Sequence, residues 1–187
     1  MICMHRRELL TLTRIILIGL SLALAWVFTA AGHVETSPVN LKVLPAENTV
    51  VVGNTFTVTV VAEAGSQLID GVLIFLDFSS DVLRVTNSPV GTPLLPTSYL
   101  NNYDNIAGTI DYAAGATSGN QPSGSFIVLT IQFEALTPIE NTSLNFSTTE
   151  IRKTNVTYAG VSILGGISAG TIKVVEPKKV YFPLLTR

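Results

Sequence analysis

From Val39 onward the chain alternates apolar and polar residues with a period of two, and Gly, Pro, Asn or Ser breaks the pattern at short intervals. Side chains of a strand point alternately to opposite faces, so this period sends one face of each segment to a core and the other to solvent. No stripe of helical period competes with it. Thr55-Phe-Thr-Val-Thr-Val-Val61 puts Phe56, Val58 and Val60 on one side and threonines on the other, while Gly71-Val-Leu-Ile-Phe-Leu-Asp-Phe78 is apolar on both sides, more than a one-sided strand needs. Residues 108–114 and 125–133 come next, the second with Ile127, Leu129, Ile131 and Phe133 on one side. Weaker strands read at 41–44, 83–86, 144–148, 156–159 and 171–175. About nine strands with turn signals between them predict an all-β, two-sheet sandwich. Residues 87–105, with Pro89, Pro93 and Pro96, are the least regular and are expected to run over an edge; residues 115–124 read as a small-residue loop. The sandwich is bounded at 39–176, and residues 177–187 form a short C-terminal tail that carries the apolar Val180-Tyr-Phe-Pro-Leu-Leu185.

The amino end has a different character. Arg6, Arg7 and Arg14 precede an uncharged apolar run from Ile15 to Phe28, and Thr29, Ala30, Ala31 and Gly32 come after it. A basic segment, an apolar core and small residues are the parts of a secretory signal peptide, here residues 1–32. The rival reading is an uncleaved anchor, since residues 15–31 are at the short edge of what spans a bilayer. Both place the rest of the chain outside the membrane, secreted or at the cell surface, with membrane contact only through an uncleaved amino-terminal segment.

The 187 residues suit one domain of ordinary size. With 13% charged residues, 47% hydrophobic residues and a formal net charge of −2, the chain is neither a disordered tail nor a basic nucleic-acid binder. Its one cysteine, Cys3, precedes the apolar run, so it is not the lipidated cysteine of a bacterial lipoprotein. Of the two histidines, His5 falls within the signal and His33 sits at the extreme amino end of the remaining chain. Chemistry that relies on His, Cys or a metal held by them is thereby closed. A carboxylate pair of glycosidase type is the enzymatic route left. Asp77 and Asp81 frame a strand end and Asp104 and Asp111 flank a turn, but Asp is common at turns and a single small domain offers no deep cleft. The chain therefore reads as non-catalytic, with no cofactor and no metal site. Asn101-Asn-Tyr-Asp-Asn105 reads as a turn, since it lacks the spacing of a calcium loop. Asn141, Asn145 and Asn155 head glycosylation-type triplets that matter only where that machinery exists.

Five segments, in order, resemble the cohesin domain, the nine-stranded jelly-roll module of bacterial extracellular scaffolds. They are Val52-Gly53-Asn-Thr-Phe-Thr-Val58, Leu76-Asp-Phe-Ser-Ser-Asp-Val-Leu-Arg-Val85, Gly108-Thr-Ile-Asp-Tyr-Ala-Ala-Gly115, Gly124-Ser-Phe-Ile-Val-Leu-Thr-Ile-Gln-Phe133, and Thr154-Asn-Val-Thr-Tyr158 with Gly165-Gly166. The likeness runs from Val43 to Val175. It departs from the family after the third strand, where cohesins usually carry aromatic-Asp-Pro and this chain has Phe78-Ser79-Ser80.

The resemblance implies a partner: a dockerin-containing protein, its calcium carried by the dockerin, within a polysaccharide-degrading or surface-layer assembly. It also implies where the partner sits, on the sheet of the third, fifth, sixth and eighth strands. If Ile74, Leu76 and Phe78 face the core, then Gly71, Leu73, Phe75 and Asp77 face the partner, and Phe126 and Val128 oppose an inward row in the same way. The apolar pair Leu73 and Phe75 is then either free for a partner or covered by the C-terminal tail or the Pro-rich loop. The alternative is a carbohydrate-binding module, a fold similar at this level, with Tyr99 and Tyr103 as the rings on which a polysaccharide would stack.

Overall fold

The computed structural model describes residues 36–178. The expected signal or anchor, residues 1–32, and the tail from Tyr181 to Arg187 lie outside the described residues. The described residues belong to one compact unit. Its fourteen described strands are β1 (Val39–Leu44), β2 (Glu47–Val51), β3 (Thr55–Glu63), β4 (Gly71–Asp77), β5 (Leu83–Val85), β6 (Val90–Gly91), β7 (Thr97–Asp104), β8 (Thr109–Gly115), β9 (Ser125–Ala135), β10 (Ile139–Phe146), β11 (Asn155–Tyr158), β12 (Val161–Ser162), β13 (Leu164–Ser168) and β14 (Gly170–Val175).

They form two sheets. One runs β13-β1-β3-β9-β5, with β6 also on β9; the other runs β12-β11-β4-β10-β14-β2, with the β7-β8 hairpin on the far side of β4. Alternation supplies the facing layers. Val39, Leu41 and Val43 of β1 and Val58, Val60 and Ala62 of β3 are buried from one sheet, and Val72, Ile74 and Leu76 of β4 with Ile110, Tyr112 and Ala114 of β8 from the other. Phe133 joins the layers: it stacks on Phe56 at 5.8 Å and meets Phe78 edge-on at 5.3 Å. Edge-on and offset pairs of this kind add to the burial energy of the rings.

Each of the nine segments read as strands contains or overlaps a strand. The correction concerns residues 87–105, expected to be irregular. Residues 97–104 of that stretch form β7, which pairs along its length with β8. Its side chains are exposed except the half-buried Tyr103, so no apolar period marked it. The expected turn at Asn101–Asn105 is likewise strand up to Asp104. The chain reverses just beyond, where the Asp104 carboxylate accepts the N–H groups of Ile106 at 2.7 Å and Ala107 at 3.0 Å. Those two bonds hold the Asp104 carboxyl below its ordinary range. Gly108 closes the turn at φ +69°, and a Cβ there would lie 2.1 Å from the Phe78 carbonyl oxygen.

A second correction concerns β9. Its register against β3 shifts between Val60, opposite Leu129, and Val61, opposite Ile127, which leaves Val128 as an extra residue. This β-bulge reverses the in-out order upstream of it. Val128 is therefore fully buried and Ile127 is 48% exposed, opposite to the simple alternation, while Phe126 packs partly buried against the core. Both Phe126 and Val128 also belong to the sheet that lacks β4. They are not on the predicted partner face.

Two substitutions test this geometry. Gly108→Ala is expected to lower unfolding free energy in urea by at least about 1–3 kcal/mol, since it adds a left-handed side chain to a backbone clash. Gly119→Ala, also at positive φ but with open space around it, should stay at the lower end. Val128→Asp should prevent folding as judged by circular dichroism, whereas Ile127→Asp should leave a folded protein; the reverse pattern would restore the unbulged strand.

Candidate binding face

β4 sets the face, because its two edges are used differently. One edge pairs with β8 over all seven residues. The other is divided: Asp77 and Leu76 pair with β10, and Leu73, Val72 and Gly71 pair with β11. Residues 147–154 join β10 to β11 beside Phe75, and they are tied to it there. Ser147 N–H donates to the Phe75 carbonyl at 2.7 Å, and the Thr154 hydroxyl bonds both the Phe75 N–H and its carbonyl at 3.1 Å. Between these ties the loop rises from the sheet, held by a bridge from Thr148 to Lys153.

The outward residues fall into rows across the strands. Gly115, Gly71 and Thr157 form one, Leu100, Ala113, Leu73 and Asn155 the next, Asn102, Asp111 and Phe75 a third, and Asp104, Thr109, Asp77 and Asn145 the last. The first two rows are uncharged. The ring of Tyr99, bulged out of β7, lies over Gly115, where a Cβ would come within 3.0 Å of it. The last two rows hold three carboxylates and receive one cation, Arg152, from the risen loop.

Arg152 donates from Nε to Asp111 at 2.9 Å and from Nη2 to Asp111 at 2.7 Å and to the Leu76 carbonyl at 3.2 Å; Nη1 donates to Asp77. Its guanidinium lies over the Phe75 ring, 5.7 Å from the centroid. Burial works against the charge, but the hydrogen bonds and Coulombic attraction of Asp77 and Asp111 outweigh it and raise the Arg152 pKa above its ordinary value. The cluster joins a cation–π contact to charge-assisted hydrogen bonds on half-exposed side chains.

The predicted site residues now have places. Gly71, Leu73, Phe75 and Asp77 do share the outer side of β4, and Leu73 and Asp77 are partly open to solvent. Phe75 is only 9% exposed, so of the two readings, free or covered, it is the covered one. Among the described residues Arg152 and its loop lie against it, not the Pro-rich loop; the C-terminal tail lies outside the described residues. Phe126 and Val128 are on the other sheet. Tyr99 is 73% exposed, but Tyr103 packs inward against the core. The two rings named for a polysaccharide thus do not form a row. Asp77 and Asp111 are partners of Arg152 while still partly open to solvent, and Asp104 caps its turn. Arg152 was missed because only the register shows that residues 147–154 return beside Phe75; the one signal was two outward acids without a nearby base.

No family model matches the chain, and no curated protein does. Solved structures do. The seventh ScaB type I cohesin of Pseudobacteroides cellulosolvens is 14% identical, with 79% of this chain and 98% of that one covered at a TM-score of 0.63. A type I cohesin–dockerin complex of Clostridium thermocellum, Coh-OlpC–Doc435, matches at 9% identity over 78% of this chain and 99% of that one, TM-score 0.63. A non-cellulosomal cohesin of the archaeon Archaeoglobus fulgidus matches at 18% identity over 74% and 92%, TM-score 0.57. The fold is therefore the jelly-roll sandwich of cohesin domains.

Replacing Arg152 with Ala removes the cluster's one cation and uncovers Phe75. The loss expected in urea unfolding is about 1–2 kcal/mol, the range of charge-assisted bonds at half-exposed sites. The difference between variant and parent should shrink in high salt.

Proposed function

We propose that this chain is an exported, non-catalytic binding module of cohesin type, which holds a dockerin-bearing protein on the outward face of the β7-β8-β4-β11 sheet. The observation that carries the reading is the state of that face. Leu100, Ala113 and Leu73 lie side by side across β7, β8 and β4, just beyond the bulge at Tyr99, and none of them is fully buried. A contiguous apolar strip bordered by polar rows is the usual mark of a protein partner. The cohesin fold supplies the partner's class, because cohesin neighbours were solved with dockerins on them.

Other features support a binding role. Arg152 occupies Asp77 and Asp111, and the Asp104 carboxylate is spent on its turn, so three of the four acids considered for glycoside chemistry have structural employment. With Phe126 and Val128 on the other sheet, the site proposed now is Gly71, Leu73, Asp77, Leu100, Ala113 and the Arg152 loop. The assembly is taken to lie outside the cell, on a polysaccharide-degrading or surface-layer scaffold, with calcium on the dockerin.

The test is to immobilise residues 33–187 and pass concentrated culture supernatant of the source organism over them, with calcium and with a chelator. The expected result is calcium-dependent retention of a protein that mass spectrometry shows to carry paired EF-hand-like repeats. An Ala113→Arg variant should bind it at least about tenfold more weakly, because a charge at the centre of a packed interface costs more than about 1.4 kcal/mol. Retention of polysaccharide alone, indifferent to Ala113→Arg, would replace the reading with a carbohydrate-binding one.

A further inference from the structure

Tyr112 has no partner for its hydroxyl among the described residues. It sits on the inner side of β8 and is 2% exposed, a depth at which a tyrosine ordinarily spends its O–H on the protein. Burial alone raises its pKa above the ordinary value, with no hydrogen bond contributing. Among the described residues no side-chain polar atom is both sealed from water and unpaired, so the hydroxyl meets solvent. It does so beside Gly91, where a Cβ would lie 1.9 Å from its oxygen. An open pocket of about 400 Å³ lies there, between the loop of residues 91–96 and the inner side of β7.

The walls of this pocket are fixed by the fold. Its loop is held by the Thr92 N–H, which donates to the Val128 carbonyl at 3.0 Å, and by the buried Leu95. Asn101, directly opposite Tyr112 in the ladder, donates from Nδ2 to the Pro89 carbonyl at 2.8 Å. That bond fixes the side chain and leaves Oδ1 as an acceptor on the pocket wall. Tyr112 thus offers a donor and Asn101 an acceptor from adjacent strands, whose backbones lie about 5 Å apart. Pro93 and Pro96 add apolar surface, and no charged side chain lines the pocket. A carboxamide carries the matching acceptor and donor on one rigid plane, without charge.

We propose that this pocket binds a carboxamide group, its oxygen accepting from the Tyr112 hydroxyl and its N–H donating to Asn101 Oδ1. Such a group comes either as a small free amide or as the end of an Asn or Gln side chain. A carboxylate of the same shape finds no cation there to offset its desolvation, and an apolar group leaves the hydroxyl unpaired. The site is on the inner side of β7 and β8, so it is separate from the partner face and is tested without a dockerin.

The probes are propionamide and its isosteres propionate and butanone, titrated into residues 33–187 while nuclear magnetic resonance follows the Tyr112 ring and the Asn101 side-chain amide. Propionamide should give saturable shifts at both, with a dissociation constant on the order of 1–50 mM, as befits so small a group. Butanone, which lacks the N–H, should bind at least about twofold more weakly, and propionate should give no saturable shift. Tyr112→Phe removes only the hydroxyl and should weaken propionamide, read at the Asn101 amide, about two- to tenfold. Ser98→Phe, at an exposed position on the pocket wall, should abolish binding with the circular dichroism unchanged. N-acetylglutamine methylamide separates the two sources: tighter binding than propionamide assigns the amide to a polypeptide side chain, and equal or weaker binding assigns it to a free amide. No saturable propionamide shift, an equal response to butanone or propionate, or binding unchanged in either folded variant would each overturn the proposal.

Discussion

The division of one edge of β4 between two strands is the constraint on which the rest of the face depends. Because β10 pairs only with the last residues of β4 and β11 only with the first, the connection between them has to leave the sheet beside Phe75. A backbone that leaves a sheet needs other partners for its polar groups. Ser147 and Thr154 provide them by bonding the Phe75 backbone. With both ends of the loop so fixed, Arg152 has a short path back to the sheet, where Asp111 lies across from Phe75 and Asp77 two residues further along β4. The covered aromatic, the paired acids and the risen loop are thus consequences of one pairing pattern.

What the sequence made legible is what a period of two encodes. Phe56, Val58 and Val60, then Ile74, Leu76 and Phe78, could be placed inward because a one-residue slip would send each whole set to solvent. The same logic failed at β9, since one extra residue at Val128 reverses the order upstream, and nothing in Phe126-Ile-Val-Leu129 distinguishes a bulged apolar run from a regular one. It failed at β7 for the opposite reason. An edge strand with both faces near solvent has no apolar period, and its pairing with β8 is dictated by the Asp104 to Gly108 turn. The apolar excess of β4 was visible, whereas the residue covering it lies 77 positions away from Phe75 along the chain, a relation that only tertiary register creates.

The electrostatics of the face depend on that placement. Three carboxylates in two adjacent rows would repel one another on a bare sheet, where like charges directly opposite are unfavourable. Arg152 offsets Asp77 and Asp111, and Asp104 is offset by backbone N–H groups. The acidic end is therefore stable without a partner, and the uncharged end, from Gly115 to Leu73, is left as the part with most to gain from losing water. A partner that covers both ends gains apolar burial at one and meets fixed charge at the other. The first sets affinity, and the second sets orientation and rate of encounter.

The low identity to proteins of the same fold, between 9% and 18% for those compared, has a physical reading in these rows. The inner rows are answerable to the core, and any apolar residues of suitable volume satisfy them. The outer rows of β4, β7 and β8 are not needed by the core, so their chemistry is free to differ between chains that fold alike. Phe75 is the exception here. It is an outward residue that needs cover, and the chain supplies it from residues 147–154 instead of leaving the ring to a partner. Holding that ring beside a guanidinium keeps a large apolar group from being exposed. It also places a fixed cation, instead of a bare ring, at the centre of the proposed face. Any selectivity of the proposed face would therefore draw on the same bonds that keep Phe75 from water.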